Sequence, residues 1–339
     1  MNIHNKKVLI VGGTGSLGKA LIYRLKDDNQ VCIVSRDELK QWSLRNEIGS
    51  DNVTFMVGDM RDRRRLEEAL IVTRPNIVII AAALKQVDTC ERAPGESIKT
   101  NILGVQNLVE VIERSKSLLS DLDAVVMVST DKACEPTNVY GMSKAIAERV
   151  VTSRSYIHDH PRFVAVRYGN VLESRGSIIP LFRYQAEHMR AFTLTHEDMT
   201  RFVMTLDQSI DLILTAATRG NSGETWIPRL NAMLIKDLAE IFSETYHKPI
   251  EVIGMRPGEK LHEMLISKPE SLRVRQVDDF YVISSALSPI PDDFRVFDYS
   301  SGQDVLNRAE LRKYLEGLGI VKAPLDSFIG TRVDAIRQN

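Results

Sequence analysis

The residues with the greatest chemical potential lie between Ser129 and Lys144. Thr130, Asp131 and Lys132 present a hydroxyl, a carboxylate and an amine in succession, directly after the apolar run 124–128. Tyr140 comes eight residues after Lys132, and Lys144 four residues after Tyr140. On a helix starting near Val139 that last spacing puts Tyr140 and Lys144 on one face. A cationic Lys beside a phenol favours the phenolate, so such a pair can act as a hydride-transfer base near neutral pH. A lone Tyr-x-x-x-Lys is more often a Tyr packed on a Lys stem. Here it gains meaning from a second signature in the same half of the chain.

That signature is Gly12-Gly13-Thr14-Gly15-Ser16-Leu17-Gly18, placed between the β-branched run 7–11 and a helical stretch that follows. Glycines at 12, 15 and 18 let the backbone turn sharply, approach a pyrophosphate and pack a helix closely on a strand. The positive end of that helix then favours phosphates. The spacing predicts dinucleotide binding, with Thr14, Ser16 and Leu17 in the same turn. A second strand, 30–34, ends in Ser35-Arg36-Asp37-Glu38-Leu39-Lys40 rather than in an acidic residue. The Ser35 hydroxyl, Arg36 guanidinium and Lys40 amine suit a 2′-phosphate, which favours NADP over NAD. Asp37 keeps NAD open, or serves as a helix cap.

A third strand, 53–57, leads to Asp59 and Met60, at the sheet edge where an adenine would rest; Asp59 can accept from its amino group. Asp62 reads as a cap for a helix over 63–73. A fourth strand, 76–80, ends in Ala81, Ala82 and Ala83, small enough for the backbone to pass a cofactor ribose and nicotinamide. Lys85 is a surface charge or a reach toward a ligand phosphate. A long helix is expected over 95–116, with Asn101 either bridging to its neighbours or solvated. Strands over 124–129 and 162–167 complete an α/β, Rossmann-type doubly wound parallel sheet.

The totals agree with a protein of this class. The chain has 339 residues, enough for a large core, and a formal net charge of −1, which points to neither nucleic-acid nor membrane partners. Three scattered cysteines make no disulfide framework or metal site. No apolar run is long enough to span a bilayer and the amino terminus has no signal-peptide core, so a cytoplasmic protein is expected.

Gly12-x-x-Gly15-x-x-Gly18 with Tyr140-x-x-x-Lys144 resembles the extended short-chain dehydrogenase/reductases acting on nucleotide sugars. Within them, Ser35 to Gln41, Ala82 to Val87, Ser129 to Ala133 and Arg256 to Glu263 resemble the bacterial UDP-N-acetylglucosamine 4,6-dehydratases that invert C5. The related dTDP-glucose and GDP-mannose dehydratases carry Glu where Lys132 stands, and C5-retaining, membrane-anchored relatives typically lack the Tyr at 140. The resemblance implies that Tyr140 takes the sugar O4 proton and that Lys144 holds the nicotinamide ribose and lowers the Tyr140 pKa. It further implies that Thr130 steadies the C4 carbonyl, that a neutral Lys132 removes the C5 proton, and that Asp131 protonates the departing C6 hydroxyl. Lys85, Asn170, Arg256 and Glu259 are the implied contacts of the UDP-sugar, and a homo-oligomer, dimer or hexamer, is the implied assembly. Residues 1–169 with about 200–225 are expected to form the NADP domain, and 170–199 with 226–330 a smaller α/β substrate lobe. His262 is expected as a packed rather than a reacting His, and Arg201 receives no role.

Overall fold

The computed structural model describes residues 2–322 apart from His158, Glu173 and Arg175. Its strands, in chain order, are β1 (Lys7–Val11), β2 (Gln30–Ser35), β3 (Val53–Val57), β4 (Ile77–Ile80), β5 (Ala124–Val128), β6 (Arg162–Val166), β7 (Phe192–Leu194), β8 (Thr200–Phe202), β9 (Thr225–Pro228), β10 (Ala232–Leu234), β11 (Ile250–Val252), β12 (Met264–Ile266), β13 (Val274–Val277), β14 (Phe280–Ile283), β15 (Tyr299–Ser300) and β16 (Val305–Leu306). β1 to β6 are wholly parallel and run in the order β3-β2-β1-β4-β5-β6. Their side chains are apolar on both faces because helices cover both faces, as in β1 and β4, where four successive residues are buried. The strand order reverses between β1 and β4, which opens a crevice at the carboxyl ends of the strands.

The sheet continues past β6 through β9 to the hairpin β14–β13, nine strands in all. This departs from the expected division, in which 226–330 belonged to the smaller lobe. Trp226 and Ile227 are buried against the large core, and their apolar character, rather than their place in the chain, draws β9 and the hairpin into the main sheet. Residues 233–242 and 311–321 of that segment join 170–199 in a second layer with its own core. There Phe182, Phe192 and Phe242 meet edge to face at centroid distances of 5.4 to 5.9 Å. The small sheets β8–β10–β16 and β7–β11 complete it, whereas β12–β15 packs on the large core through Leu265, Ile266 and Tyr299. The part of 226–330 beyond 322 lies outside the described residues, as does Arg175.

The helix expected over 95–116 is interrupted. Pro94–Ser97 and Gly104–Arg114 are α-helical, while Ile98–Leu103 forms a π-turn. Asn101 sits in that turn, buried, and accounts for it. Its Oδ1 accepts from the Leu84 N–H at 2.8 Å, and its Nδ2 donates to the Leu84 carbonyl at 2.9 Å and to Ser143 Oγ at 2.9 Å. One amide thus ties the loop after β4 to the helix that carries Tyr140. Asp37 and Asp62 both cap helices as read from the sequence.

Candidate active site

A cleft of about 760 Å³ lies at the carboxyl ends of β1 to β6. Gly12, Thr14, Gly15, Ser16, Leu17, Gly18, Ser35, Arg36, Lys40, Asp59, Met60, Ala81, Ala82, Ala83 and Lys85 all line it, together with Thr130, Asp131, Lys132, Tyr140, Lys144 and Asn170. Side chains chosen from widely separated stretches therefore converge on one space. Arg256 and Glu259 do not line it.

The glycine turn is built for close approach. Gly12 has φ +94°, and a Cβ there would stand 2.4 Å from the Ala82 nitrogen. A Cβ on Gly18 would stand 2.4 Å from the Gly13 backbone, so helix Ser16–Leu25 lies against the turn only because residue 18 is Gly. That helix begins at Gly15 with no side-chain cap and no acidic residue in its first turn. Its amino-terminal N–H groups and positive end are thus suited to the phosphates of a dinucleotide. Two buried hydroxyls on the cleft wall, Thr100 Oγ1 and Ser129 Oγ, have no hydrogen-bond partner among the described residues. The residues present fit a nicotinamide dinucleotide.

At the expected 2′-phosphate site the three side chains have other engagements. Ser35 Oγ accepts from Gln41 Nε2 at 2.9 Å, Lys40 Nζ lies 2.6 Å from Asp37, and Arg36 lies 3.9 Å from Asp59 and is half exposed. Burial alone would raise the Asp59 carboxyl, but hydrogen bonds from Arg61 hold it below its usual range.

The side chains expected to react sit where β5 ends. Thr130 caps the short turn Asp131–Ala133, and its hydroxyl donates to Asp131 Oδ1 at 2.8 Å. Helix Val139–Thr152 starts at Asn138, whose side chain accepts from the Gly141 N–H, and brings Tyr140 and Lys144 to the same wall. Gly141 allows this helix to rest on the turn: its absent Cβ would meet the Lys132 carbonyl oxygen at 2.1 Å.

The electrostatics differ from the expectation in two respects. Burial alone would lower the proton affinity of Lys132, but Asp131 Oδ1 at 3.1 Å and Glu263 Oε1 at 3.2 Å outweigh it, with Arg201 opposing them. The net shift is upward, so the resting side chain is an ammonium and not the neutral amine expected. Burial likewise pushes the Tyr140 phenol up to about 12, against the lowering influence of Lys132 and of the Thr130 hydroxyl. The cation that eases the phenol toward its phenolate is therefore Lys132 rather than Lys144. Lys144 donates to the Val128 carbonyl at 2.7 Å, and burial lowers its ammonium to about 8, with Glu148 opposing.

Several supporting residues escaped the sequence reading. Glu263 is buried directly before β12, and its backbone exchanges hydrogen bonds with Ser301. Arg201, left without a role, is buried and donates to the carbonyls of Thr200, Lys260 and Leu261 while its Nε lies 3.9 Å from Glu263. Behind Lys144, Arg167 binds Glu148 and Glu270 through four contacts of 2.6 to 3.1 Å. These partners are far apart in the chain, and no local pattern links them. Glu263 does close the stretch Arg256 to Glu263, the one signal that could have drawn attention to it.

Arg256 is exposed, and its N–H donates to Glu259 Oε2 at 3.0 Å, closing the turn. The Gly258 carbonyl in the same turn accepts from Asn138 Nδ2 at 2.9 Å, so the loop is fastened to the start of the Tyr140 helix. His262 is hydrogen-bonded to Thr200 Oγ1 at 2.8 Å, in keeping with a packed His. Cys134 is buried 3.4 Å from Glu270, and burial pushes its thiol up, away from a nucleophile's range.

No helix among the described residues is long and apolar enough to cross a membrane. A family model described as "Polysaccharide biosynthesis protein" matches residues 8–285. UDP-N-acetylglucosamine 4,6-dehydratase (inverting) of Campylobacter jejuni is 36% identical over 297 residues, 86% of each chain. UDP-glucose 4-epimerase of Rickettsia rickettsii is 37% identical over 306 residues, 87% of this chain and 86% of that one. The solved structure of Pen from Bacillus thuringiensis superposes with a TM-score of 0.86 at 34% identity, covering 94% of this chain and all of that one. The fold, the glycine turn and these similarities agree, and the chain belongs to the polysaccharide biosynthesis protein family of nucleotide-sugar dehydratases and epimerases, built as an extended short-chain dehydrogenase/reductase.

Proposed function

We propose that the protein is a UDP-N-acetylglucosamine 4,6-dehydratase that inverts C5, forming UDP-2-acetamido-2,6-dideoxy-L-arabino-hex-4-ulose for surface glycan synthesis. The observation that carries this reading is the Asp131–Lys132 contact of 3.1 Å on the cleft wall beside Tyr140. Hydride removal from C4 needs only a base such as Tyr140, whereas elimination across C5 and C6 also needs an acid and a base held together. NADP is the cofactor of this reading, with NAD the lesser choice. Held by the glycine turn with Ser35, Arg36 and Lys40, it would accept hydride from C4 and return it to C6.

Tyr140, as the phenolate that the Lys132 cation favours, takes the O4 proton, and the Thr130 hydroxyl donates toward the carbonyl oxygen that develops at C4. That carbonyl acidifies C5–H. The amine of Lys132 removes the C5 proton while Asp131 protonates the C6 hydroxyl, which leaves as water. Lys85 and Asn170 face the sugar nucleotide from the same cleft; Arg256 and Glu259 reach it only if their turn swings toward the cleft on binding. Cytoplasmic action as a dimer or hexamer belongs to the same reading, and light scattering on the purified protein tests the assembly.

A nucleotide-sugar C4 epimerase is the second reading, favoured by the Rickettsia relative at 37% identity. It leaves Asp131 and Lys132 without a task. The two separate in one experiment: purified protein with UDP-N-acetylglucosamine in D2O, followed by proton NMR. A new C6 methyl signal with deuterium at C5 and inverted ring couplings supports the dehydratase. A C4 epimer with C6 intact replaces it by the epimerase, and a methyl product of unchanged C5 configuration removes the inversion.

A further inference from the structure

Lys132 stands between two carboxylates, yet the chemistry proposed above asks it for a neutral amine. Asp131 and Glu263 are almost wholly buried, and each presents one oxygen to Lys132 Nζ, at 3.1 and 3.2 Å. The other oxygen of each, Asp131 Oδ2 and Glu263 Oε2, is buried and accepts no hydrogen bond among the described residues. Among the described residues, Arg201 from β8, 3.9 Å from Glu263, and Tyr140 from its helix also face Lys132.

We propose that Glu263 is a positioning residue that, through Lys132, decides which end of the Asp131–Lys132 contact carries the mobile proton. This rests on the dehydratase reading. At rest Glu263 holds the ammonium of Lys132 and leaves Asp131 ionised. For elimination, one N–H bond of Lys132 breaks and an O–H bond forms on Asp131, so the same proton makes the amine a base and the carboxyl an acid. The C5–H bond then breaks as a new N–H bond forms on Lys132. The C5 electron pair becomes the C5–C6 double bond, and the C6–O bond breaks as Asp131 gives its proton to the hydroxyl. Water leaves, and Lys132 and Asp131 are back in their resting charge states with no outside donor or acceptor. Glu263 takes no proton in this cycle. Its backbone is anchored by Ser301, and its carboxylate lies 3.9 Å from Arg201 Nε, a side chain itself held by three hydrogen bonds to backbone carbonyls.

The test compares wild type, Glu263→Gln and Glu263→Asp, each loaded with cofactor, by the pH profile of kcat for the C6 methyl product and by deuterium entry at C5. In Glu263→Gln the ammonium loses one of its two carboxylate partners. The acid limb of kcat should therefore move about one pH unit or more to lower pH, with KM changed less than about threefold. Glu263→Asp keeps the charge and should restore the limb toward its wild-type position. A Glu263→Gln limb at the wild-type pH, or a loss equal at every pH, overturns the inference. So does a Glu263→Asp profile displaced as far as that of Glu263→Gln. If Glu263→Gln does not fold, Arg201→Lys supplies a smaller displacement in the same direction: a less firmly held Glu263 keeps less of its grip on Lys132, so the limb should move to lower pH, and an unmoved limb overturns the inference. A wild-type protein that makes no methyl product refutes the dehydratase reading itself, a result distinct from any of these.

Discussion

Gly141→Ala is the substitution whose effect can be worked most directly from the structure. The added Cβ would stand 2.1 Å from the Lys132 carbonyl oxygen, where ordinary contact begins at 3.4 Å, so two backbones must part by the difference, 1.3 Å. No side chain can yield in their place, since the obstacle is the main chain of the turn bearing Asp131 and Lys132. The helix carrying Tyr140 is itself fastened by Asn138 to the Gly258 carbonyl and by its Val139 N–H to Glu91 at 2.6 Å. The displacement therefore falls between Tyr140 and the Asp131–Lys132 pair. Misplacement of reacting groups by about 1 Å costs on the order of a hundredfold in rate. Overpacking costs about 1–3 kcal/mol, offset by about 0.5–1 kcal/mol for replacing a helical Gly with Ala. The expected variant is folded and less stable by about 2 kcal/mol or less, with kcat reduced about a hundredfold and dinucleotide affinity kept. Product formation by NMR, thermal unfolding and titration calorimetry with the dinucleotide measure these three. A kcat within about threefold of wild type would refute the placement of Tyr140 against this pair.

Three further outcomes follow from the same geometry. Lys144 is buried with its ammonium lowered from 10.5 to about 8. The unfolded chain thus binds more protons between those values, and stability should rise with pH across them, by up to about 3 kcal/mol; urea unfolding at pH 8 and 10 should show the rise in wild type and its loss in Lys144→Met. For Glu270 burial is outweighed by Arg167, which holds the carboxyl at about 2 against 4.5 unfolded. Its contribution is complete above the unfolded value and fades as pH falls through the folded one, so Glu270→Gln should lose about 3 kcal/mol at pH 7 and little near pH 2 by the same assay. Arg36→Ala should weaken NADP binding about tenfold or more while leaving NAD binding nearly unchanged, read by calorimetry; equal losses for both would remove Arg36 from the 2′-phosphate site.

The local patterns were legible where short-range physics decides them. The glycine spacing, the β-branched runs and the caps Asp37 and Asp62 depend on neighbours a few residues away, and they specify the crevice and its glycine turn. The same holds for Tyr140 and Lys144, which share a face because four residues span about one helical turn. Protonation states were not legible, because they depend on charges brought in from elsewhere. Glu263 reaches Lys132 only when the segment before β12 packs on the turn after β5, and Glu270 reaches Arg167 only through the same long-range packing. The π-turn at Asn101 escaped the helical pattern because its cause is an amide bridging to Leu84 and Ser143. β9 and β14 are short runs about fifty residues apart in the chain, and only the edge of the main sheet at β6 decided where they belong. Sequence alone thus determined which chemical groups the chain carries and which short elements hold them. The tertiary structure determined which groups face one another across a buried cleft, and hence which carry charge, since burial and pairing act through space and not along the chain.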